Sequence, residues 1–336
     1  MQIETIDDVG SRAFWVSMVR LEGHLDLGSS VQSAFSPDGS TLAVTGTGAV
    51  VLFDLKKQEI KRVLKPHIEN ITDLNVMSAN FLDDFNIFIR ARGKMRGNGG
   101  KGDVRESPEL IFQWSIIQDA LEGSMKALTT GRQFGPSVYF PRMSYLIRYS
   151  GGGFDLWSVK QNRGGKLPVE TLTRRPNVFT ISPDGQWLLA ARFSGSSQSD
   201  VVVIRLKDQR MITALKGHEA VPLCISYSPD GSRVATAGQD QTIRIWRTSD
   251  WSAQEVLKGH TGTVNWVEFS PDGSQIVSGG DDKSVRIWSS GGGEPLQTIS
   301  DHKAPVRTVA FSPDGNYLVS SSERDVRVYK KVLVNR

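Results

Sequence analysis

The sequence predicts an all-β repeat fold of seven units, each built from four short antiparallel strands. Two observations carry this reading. Within residues 216–299 two 42-residue stretches lie end to end and share Lys-Gly-His (Lys216, Gly217, His218 against Lys258, Gly259, His260), Ser-Pro-Asp-Gly-Ser (from Ser228 and from Ser270), an aspartate (Asp240, Asp282) and Arg-Ile-Trp (ending at Trp246 and Trp288). The Ser-Pro-Asp-Gly turn occurs five times, starting at Ser36, Ser182, Ser228, Ser270 and Ser312. A period in the low forties with this punctuation marks a repeat architecture, in which one unit cannot bury its faces alone and stacks on its neighbours.

Taken in order, residues 13–21 (AFWVSMVRL) read as a strand running into Glu22-Gly23-His24, as 255–258 run into Gly259-His260, so the chain opens with the last strand of a repeat. Residues 31–35 and 41–45 flank the first Ser-Pro-Asp-Gly turn; proline presets φ there, and Asp and Gly tolerate the backbone that closes it. Residues 50–53 fill the slot of Val285, Arg286, Ile287 and Trp288. The 146 residues between the first two such turns leave room for two worn units. One has His67, strands at 71–76, 85–91 and 110–114, and a turn at Leu82-Asp83-Asp84; the other has strands at 137–140, 145–148 and 154–157. β-branched and aromatic runs separated by turn residues support strands throughout. Residues 90–107 (RARGKMRGNGGKGDVRES) interrupt the second unit between its second and third strands. They read as a mobile surface loop carrying Arg90, Arg92, Lys94, Arg96, Lys101 and Arg105. A smaller glycine and basic cluster, 160–166, is expected to link two later strands of the third unit.

The Gly-His, Ser-Pro-Asp-Gly and Arg-Ile-Trp pattern resembles the WD40 repeat family over nearly the whole chain. That resemblance implies a seven-bladed β-propeller over residues 12–330, with short tails at 1–11 and 331–336, four-stranded blades around a central channel, and the insertion 90–107 in blade two. It also implies a hydrogen-bonded set in each blade: His218, Thr236, Asp240 and Trp246 in blade five, and His260, Ser278, Asp282 and Trp288 in blade six. A carboxylate accepting from an imidazole N–H is a charge-assisted bond, worth about 1.5 to 3 kcal/mol when shielded. Elsewhere the set is incomplete and packing is expected to carry the blade. Blade seven has His302 with Glu323 and Tyr329 in the aspartate and tryptophan slots; blade one has His24 with Phe53; blades two and three keep Trp114 and Trp157; blade four has Ile204 or Arg205. The N-terminal half is therefore expected to be the softer one. Blade seven supplies only three strands, so residues 13–21 are expected to pair as its outer strand and close the ring. The Met1 start and the complete ring suggest a free-standing, monomeric propeller.

The remaining chemistry is sparse. Five histidines at His24, His67, His218, His260 and His302 recur once per unit, and ligands on separate blades do not converge on a metal. Ser150 before three glycines lacks the Gly-x-Ser-x-Gly frame of a nucleophile elbow, since Arg148 stands where glycine is required. The Asp-Gly pairs offer one carboxylate each, where calcium takes 6 to 8 oxygens. No Gly-x-x-x-x-Gly-Lys-Ser/Thr phosphate loop occurs. No cofactor, metal or catalytic group is expected. Lys plus Arg number 40 against 36 acidic residues, a net charge of +4 and short of a dedicated nucleic-acid binder. The single cysteine, Cys224, excludes an internal disulfide and fits a reducing, cytoplasmic compartment. No run of about 18 apolar residues reads as a membrane span.

The reading is a non-enzymatic scaffold that presents loops to partner proteins. WD40 proteins generally use the face carrying the loops before each first strand and between the second and third strands. On this chain that implicates Gln241, Asn265, Trp266, Lys283, Arg307 and Arg324, with Trp and Arg favoured because they are enriched at hot spots. Packing of Trp266 between blades is the competing role for that side chain. The alternative function is polyanion binding, to nucleic acid or an acidic partner, through the basic loop 90–107.

Overall fold

The computed structural model describes residues 12–21, 32–46, 48–67, 71–84, 86–96, 104–106, 109–116, 120–128, 137–140, 145–150, 153–158, 163–167, 176, 178–193, 199–323 and 325–334. Among these, the strands form seven antiparallel sheets, six of four strands and one of five. Blade five shows the unit clearly: Pro222–Tyr227, Arg233–Gly238, Ile243–Arg247 and Ala253–Leu257 pair in sequence order. Blade six repeats it with Val264–Phe269, Gln275–Gly280, Val285–Ser289 and Pro295–Ile299.

The first turn of the unit follows from its residues. Ser228 Oγ donates to Asp230 Oδ1 at 2.6 Å and accepts from the Arg233 backbone N–H at 2.9 Å. Asp230 in turn takes the Ser232 N–H at 3.0 Å, and Gly231 adopts φ +72°, where an L side chain is strained. The second strand, RVATAG in blade five, is small and almost wholly buried, because neighbouring backbone lies against it. A Cβ added at Gly238 would sit 2.4 Å from the Val221 carbonyl oxygen.

Alternation along the strands points successive side chains at opposite neighbours. From blade five, Ala235, Ala237, Ile243 and Ile245 pack with blade six residues Val267, Ile276 and Trp288, while Val234 and Trp246 pack with blade four residues Leu189 and Val203. Further apolar clusters join blades three and four, six and seven, seven and one, and one and two. The core therefore lies between blades rather than inside any one of them.

The opening strand Arg12–Leu21 pairs antiparallel with Val326–Val334 as the outer strand of blade seven, from Arg12 opposite Val334 to Leu21 opposite Val326. Trp15 is 3% exposed, its ring lies 5.5 Å from Phe311, and Gln297 of blade six brackets its backbone N–H and carbonyl, each at 2.9 Å. The first and last stretches of the chain are thus tied into one sheet.

The structure corrects three expectations. The final strand runs to Val334, so the folded unit extends past residue 330, because residues 331–334 find partners on the opening strand. Residues 163–167 are not a linker but the fourth strand of blade three, pairing with Gly153–Ser158. Of the basic stretch 90–107, the described residues 90–96 and 104–106 are strand rather than loop. Its first part belongs to the strand Asn86–Arg96, whose partners are Ile71–Phe81, Glu109–Ser115 and the short strand Val104–Glu106.

Candidate interaction face

The interiors of blades five and six are each held by a relay of hydrogen bonds. In blade five the Trp246 indole donates to Thr236 Oγ1 at 2.9 Å, and Thr236 lies 2.7 Å from His218 Nε2. The Asp240 carboxylate only accepts, so Nδ1, 2.7 Å away, carries the proton it donates, and in the neutral ring Nε2 then accepts from the threonine hydroxyl. Blade six repeats the relay through Trp288, Ser278, His260 and Asp282 at 2.8, 2.7 and 2.8 Å. Each carboxylate also accepts the backbone N–H that follows its histidine, from Glu219 or Thr261 at 3.1 Å, and so fixes the loop that opens the blade. Burial opposes the charge on Asp240, but the hydrogen bond and charge of His218, aided by Thr242, outweigh it and hold the carboxyl down at about 2. The same balance, with His260 and Ser284, depresses Asp282 further. These groups are consumed by the fold.

Blade seven departs from expectation. Glu323 is exposed, and the carboxylate facing His302 is Asp325, 3.4 Å from Nδ1. Asp325 takes the Arg327 Nε–H at 2.8 Å, and Arg327 reaches Asp301 at 2.8 Å. Ser320, 2.6 Å from His302 Nε2, donates to the Tyr329 hydroxyl, which donates to Asp301 at 3.0 Å. A hydrogen-bonded chain from His302 Nε2 through Ser320 and Tyr329 to Asp301 stands where packing alone was expected, with Asp325 at ion-pair rather than hydrogen-bond distance from the histidine. In blade four Ile204, not Arg205, fills the tryptophan slot: it pairs with Leu188 as Trp246 pairs with Val234 and is fully buried, while Arg205 turns out to Asp208. His24 lies outside the described residues.

On the face formed by the loops before the first strands and after the second ones, the candidate residues separate by role. Asp281 gathers two of them: Asn265 Nδ2 donates to its Oδ1 at 2.8 Å, and Arg307 of blade seven reaches the same oxygen at 3.1 Å. Asn265 also donates to the Val306 carbonyl at 3.0 Å, so the cluster spans two blades. Arg307 and Asp281 keep 47% and 41% of their side chains exposed. Gln241 and Lys283 are exposed at the tips of the turns between second and third strands, both at φ +64°, held by bonds from their N–H groups to the Gly238 and Gly280 carbonyls. Trp266 is half-buried against the clusters on both sides of blade six. Arg324 lies outside the described residues.

Sequence reasoning missed Asp281 and Glu268. Asp281 had a signal, the Asp-Asp pair of blade six against Gln239-Asp240 of blade five. Glu268 accepts the Phe311 backbone N–H of blade seven at 3.2 Å, and burial pushes its carboxyl up to about 7 against that bond. Cys224 is 5% exposed, donates to the Val267 carbonyl, and burial pushes its thiol up to about 12, which leaves it unreactive at neutral pH.

The five described basic residues of 90–107 lie on strands rather than on a shared loop. Arg90, Arg92, Lys94 and Arg96 lie on one strand, Lys94 pairs with Asp73 at 3.0 Å, Arg105 lies on the short strand beside them, and Lys101 is outside the described residues. Among the described residues no group of three or more His, Cys, Asp or Glu side chains could hold a metal ion, and no helix is long and apolar enough to cross a membrane.

The family model described as "WD domain, G-beta repeat" matches residues 209–247, 251–289 and 293–330. Similar proteins include the Protein LST8 homolog of Drosophila melanogaster, 32% identical over 106 residues, which is 30% of this chain and 33% of that protein. Protein groucho of Drosophila melanogaster is 27% identical over 158 residues, 44% of this chain and 20% of its own length. The WD repeat-containing protein WDS homolog of Arabidopsis thaliana is 43% identical over 54 residues, 16% of this chain and 10% of its own. The likeness thus spans a third or less of each of these relatives.

Proposed function

Because this chain is a WD40-repeat protein, we propose that it is a non-enzymatic scaffold whose face on blades five to seven binds a partner protein. The observation that carries the reading is the Asp281 cluster. An exposed arginine and an asparagine from two blades are held on one carboxylate, so Arg307 is ordered before a partner arrives and loses less side-chain freedom on binding. Beside it, Gln241 and Lys283 place different side chains at equivalent turn tips, so adjacent blades present different chemistry on the same frame. Trp266 contributes as an anchor whose ring is already packed. A cytoplasmic setting is supported by the single, buried, reduced cysteine.

The test is to identify a partner by cross-linking and mass spectrometry, then measure its affinity for the parent chain and for the variant of the exposed arginine, Arg307→Ala. At least tenfold weaker binding with an unchanged melting temperature is the expected result. Equal affinity would place the interface elsewhere. The basic strand in blade two is a poor platform for a polyanion, because its residues are fixed on a paired strand and Lys94 is engaged.

A further inference from the structure

The opposite face carries the first turns and the turns between third and fourth strands, and there the repeat exposes a difference between two neighbouring gaps. Between blades five and six, the guanidinium of Arg233 lies 5.6 Å from the Phe269 ring centroid. It donates to the Ser290 carbonyl at 2.8 Å, to Ser290 Oγ at 3.1 Å and to the Gly273 carbonyl at 3.0 Å. One arginine side chain therefore fills this gap with an aromatic floor and three acceptors.

Between blades four and five the same backbone frame recurs with different side chains on it. Trp187 stands in the slot of Arg233, since its N–H binds Ser182 Oγ at 2.9 Å as the Arg233 N–H binds Ser228 Oγ at 2.9 Å. Tyr227 replaces Phe269, both preceding the serine of the turn, while Gly231 and Thr248 stand for Gly273 and Ser290 and make the same backbone bonds. The Trp187 ring is turned aside, edge-on to Trp251 with centroids 5.4 Å apart. What is left is a cleft of about 330 Å³ lined by Trp187, Tyr227, Gly231, Thr248 and the carboxylates of Asp184 and Asp230. The Tyr227 hydroxyl oxygen is buried without a hydrogen-bond partner.

We propose that this cleft binds an arginine side chain of a partner protein, with its guanidinium over the Tyr227 ring and donating to the Gly231 and Thr248 carbonyls. The occupant is specified by the neighbouring gap, where the chain supplies that group itself. Charge agrees: Ser228 and Ser232 hold Asp230 at about 2, so it is ionised at the rim, and the nearby Arg205 and Arg247 are paired with Asp208 and Asp250. A guanidinium suits the site better than an ammonium because a planar donor fork can stack on a ring and reach several acceptors at once. This surface lies on the face away from Asp281, so it stands independently of the function proposed above.

The experiment titrates the full chain with blocked Gly-Arg-Gly, Gly-Lys-Gly and Gly-citrulline-Gly peptides, following the Trp187 and Trp251 indole N–H resonances. The arginine peptide is expected to saturate with affinity at least tenfold above the other two. Trp187→Arg should fill the cleft from within, as Arg233 does next door, and abolish binding. Asp184→Asn, a change at an exposed turn, carries the test should Trp187→Arg fail to fold, with at least threefold weakening expected. The proposal is overturned if citrulline or lysine binds as well as arginine, if no saturable shift occurs, if folded Trp187→Arg still binds, or if Asp184→Asn binds as the parent does.

Discussion

Blades six and seven solve one problem with different residues. In blade six the relay ends in a tryptophan, which donates and accepts nothing, so one carboxylate, Asp282, suffices. In blade seven it passes through a tyrosine, which accepts from Ser320 and donates onward, so a second carboxylate, Asp301, joins. Two carboxylates in a confined space need a cation, and Arg327 bridges them. What the blades share is the second-strand hydroxyl under the histidine, Ser278 or Ser320, while the acid comes from wherever the chain brings one. Blade four lies at the far end, with Ile204 buried in the tryptophan slot and inter-blade packing in place of the relay.

The comparison breaks most completely if blade seven loses its outer strand. Deleting residues 1–22 removes the buried Trp15 and Leu21 and bares the edge of Val326–Val334, while the blade six relay stays intact. The melting temperature should fall by roughly 10 °C or more and hydrogen exchange should accelerate first in blade seven. An unchanged melt would sink the closure. Next in size, Asp282→Asn leaves His260 facing a poorer acceptor in a buried site and should cost about 3 kcal/mol in denaturant unfolding; a loss below about 0.5 kcal/mol would mean that blade six, like blade four, rests on packing.

The pH dependence divides the relay from the blade contact beside it. The Asp240 carboxyl is held near 2 in the fold, below its value of 3.8 when free, so its contribution is present above about pH 4 and lost as pH falls toward 2. That loss is on the order of 2 kcal/mol and should vanish from the acid limb of Asp240→Asn. Glu268 has the opposite sign. Its folded value of about 7 lies above the free value of 4.5, so the stability it lends is present below about pH 4.5 and lost as pH rises through 7. Glu268→Gln should flatten the curve between pH 5 and 8 and raise stability at pH 8 by about 1 kcal/mol, discounted because the side chain is only partly shielded.

Much of this was legible in the sequence where short spacing decides geometry. The Ser-Pro-Asp-Gly turns closed as read, because serine, aspartate and glycine bond within five residues of each other. The relays of blades five and six were implied by the resemblance to the WD40 repeat, whose histidine, hydroxyl, aspartate and tryptophan positions this chain matches there with the histidine 28 residues ahead of the tryptophan. In blade seven the histidine and the aromatic residue are 27 apart, and counting back from Tyr329 lands on Glu323, while the three-dimensional path brings in Asp325. Composition also misled. Arg163–Leu167 is too rich in glycine to suggest a strand, and residues 92–96 too basic to continue the strand read over 85–91, yet each pairs with a strand beside it, and pairing overrides propensity. The cleft at Trp187 could not be read from spacing, since its meaning depends on where the Arg233 side chain goes one blade later.

The measurement that bears most directly on the account is a pair of substitutions in blade seven, Asp325→Asn and Glu323→Gln, unfolded side by side in denaturant. If the blade is held by a relay onto its second-strand hydroxyl, Asp325→Asn should lose about 2 to 3 kcal/mol. Glu323→Gln, exposed and outside the network, should stay within about 0.5 kcal/mol of the parent. The reverse order, or equal and negligible losses, would contradict it.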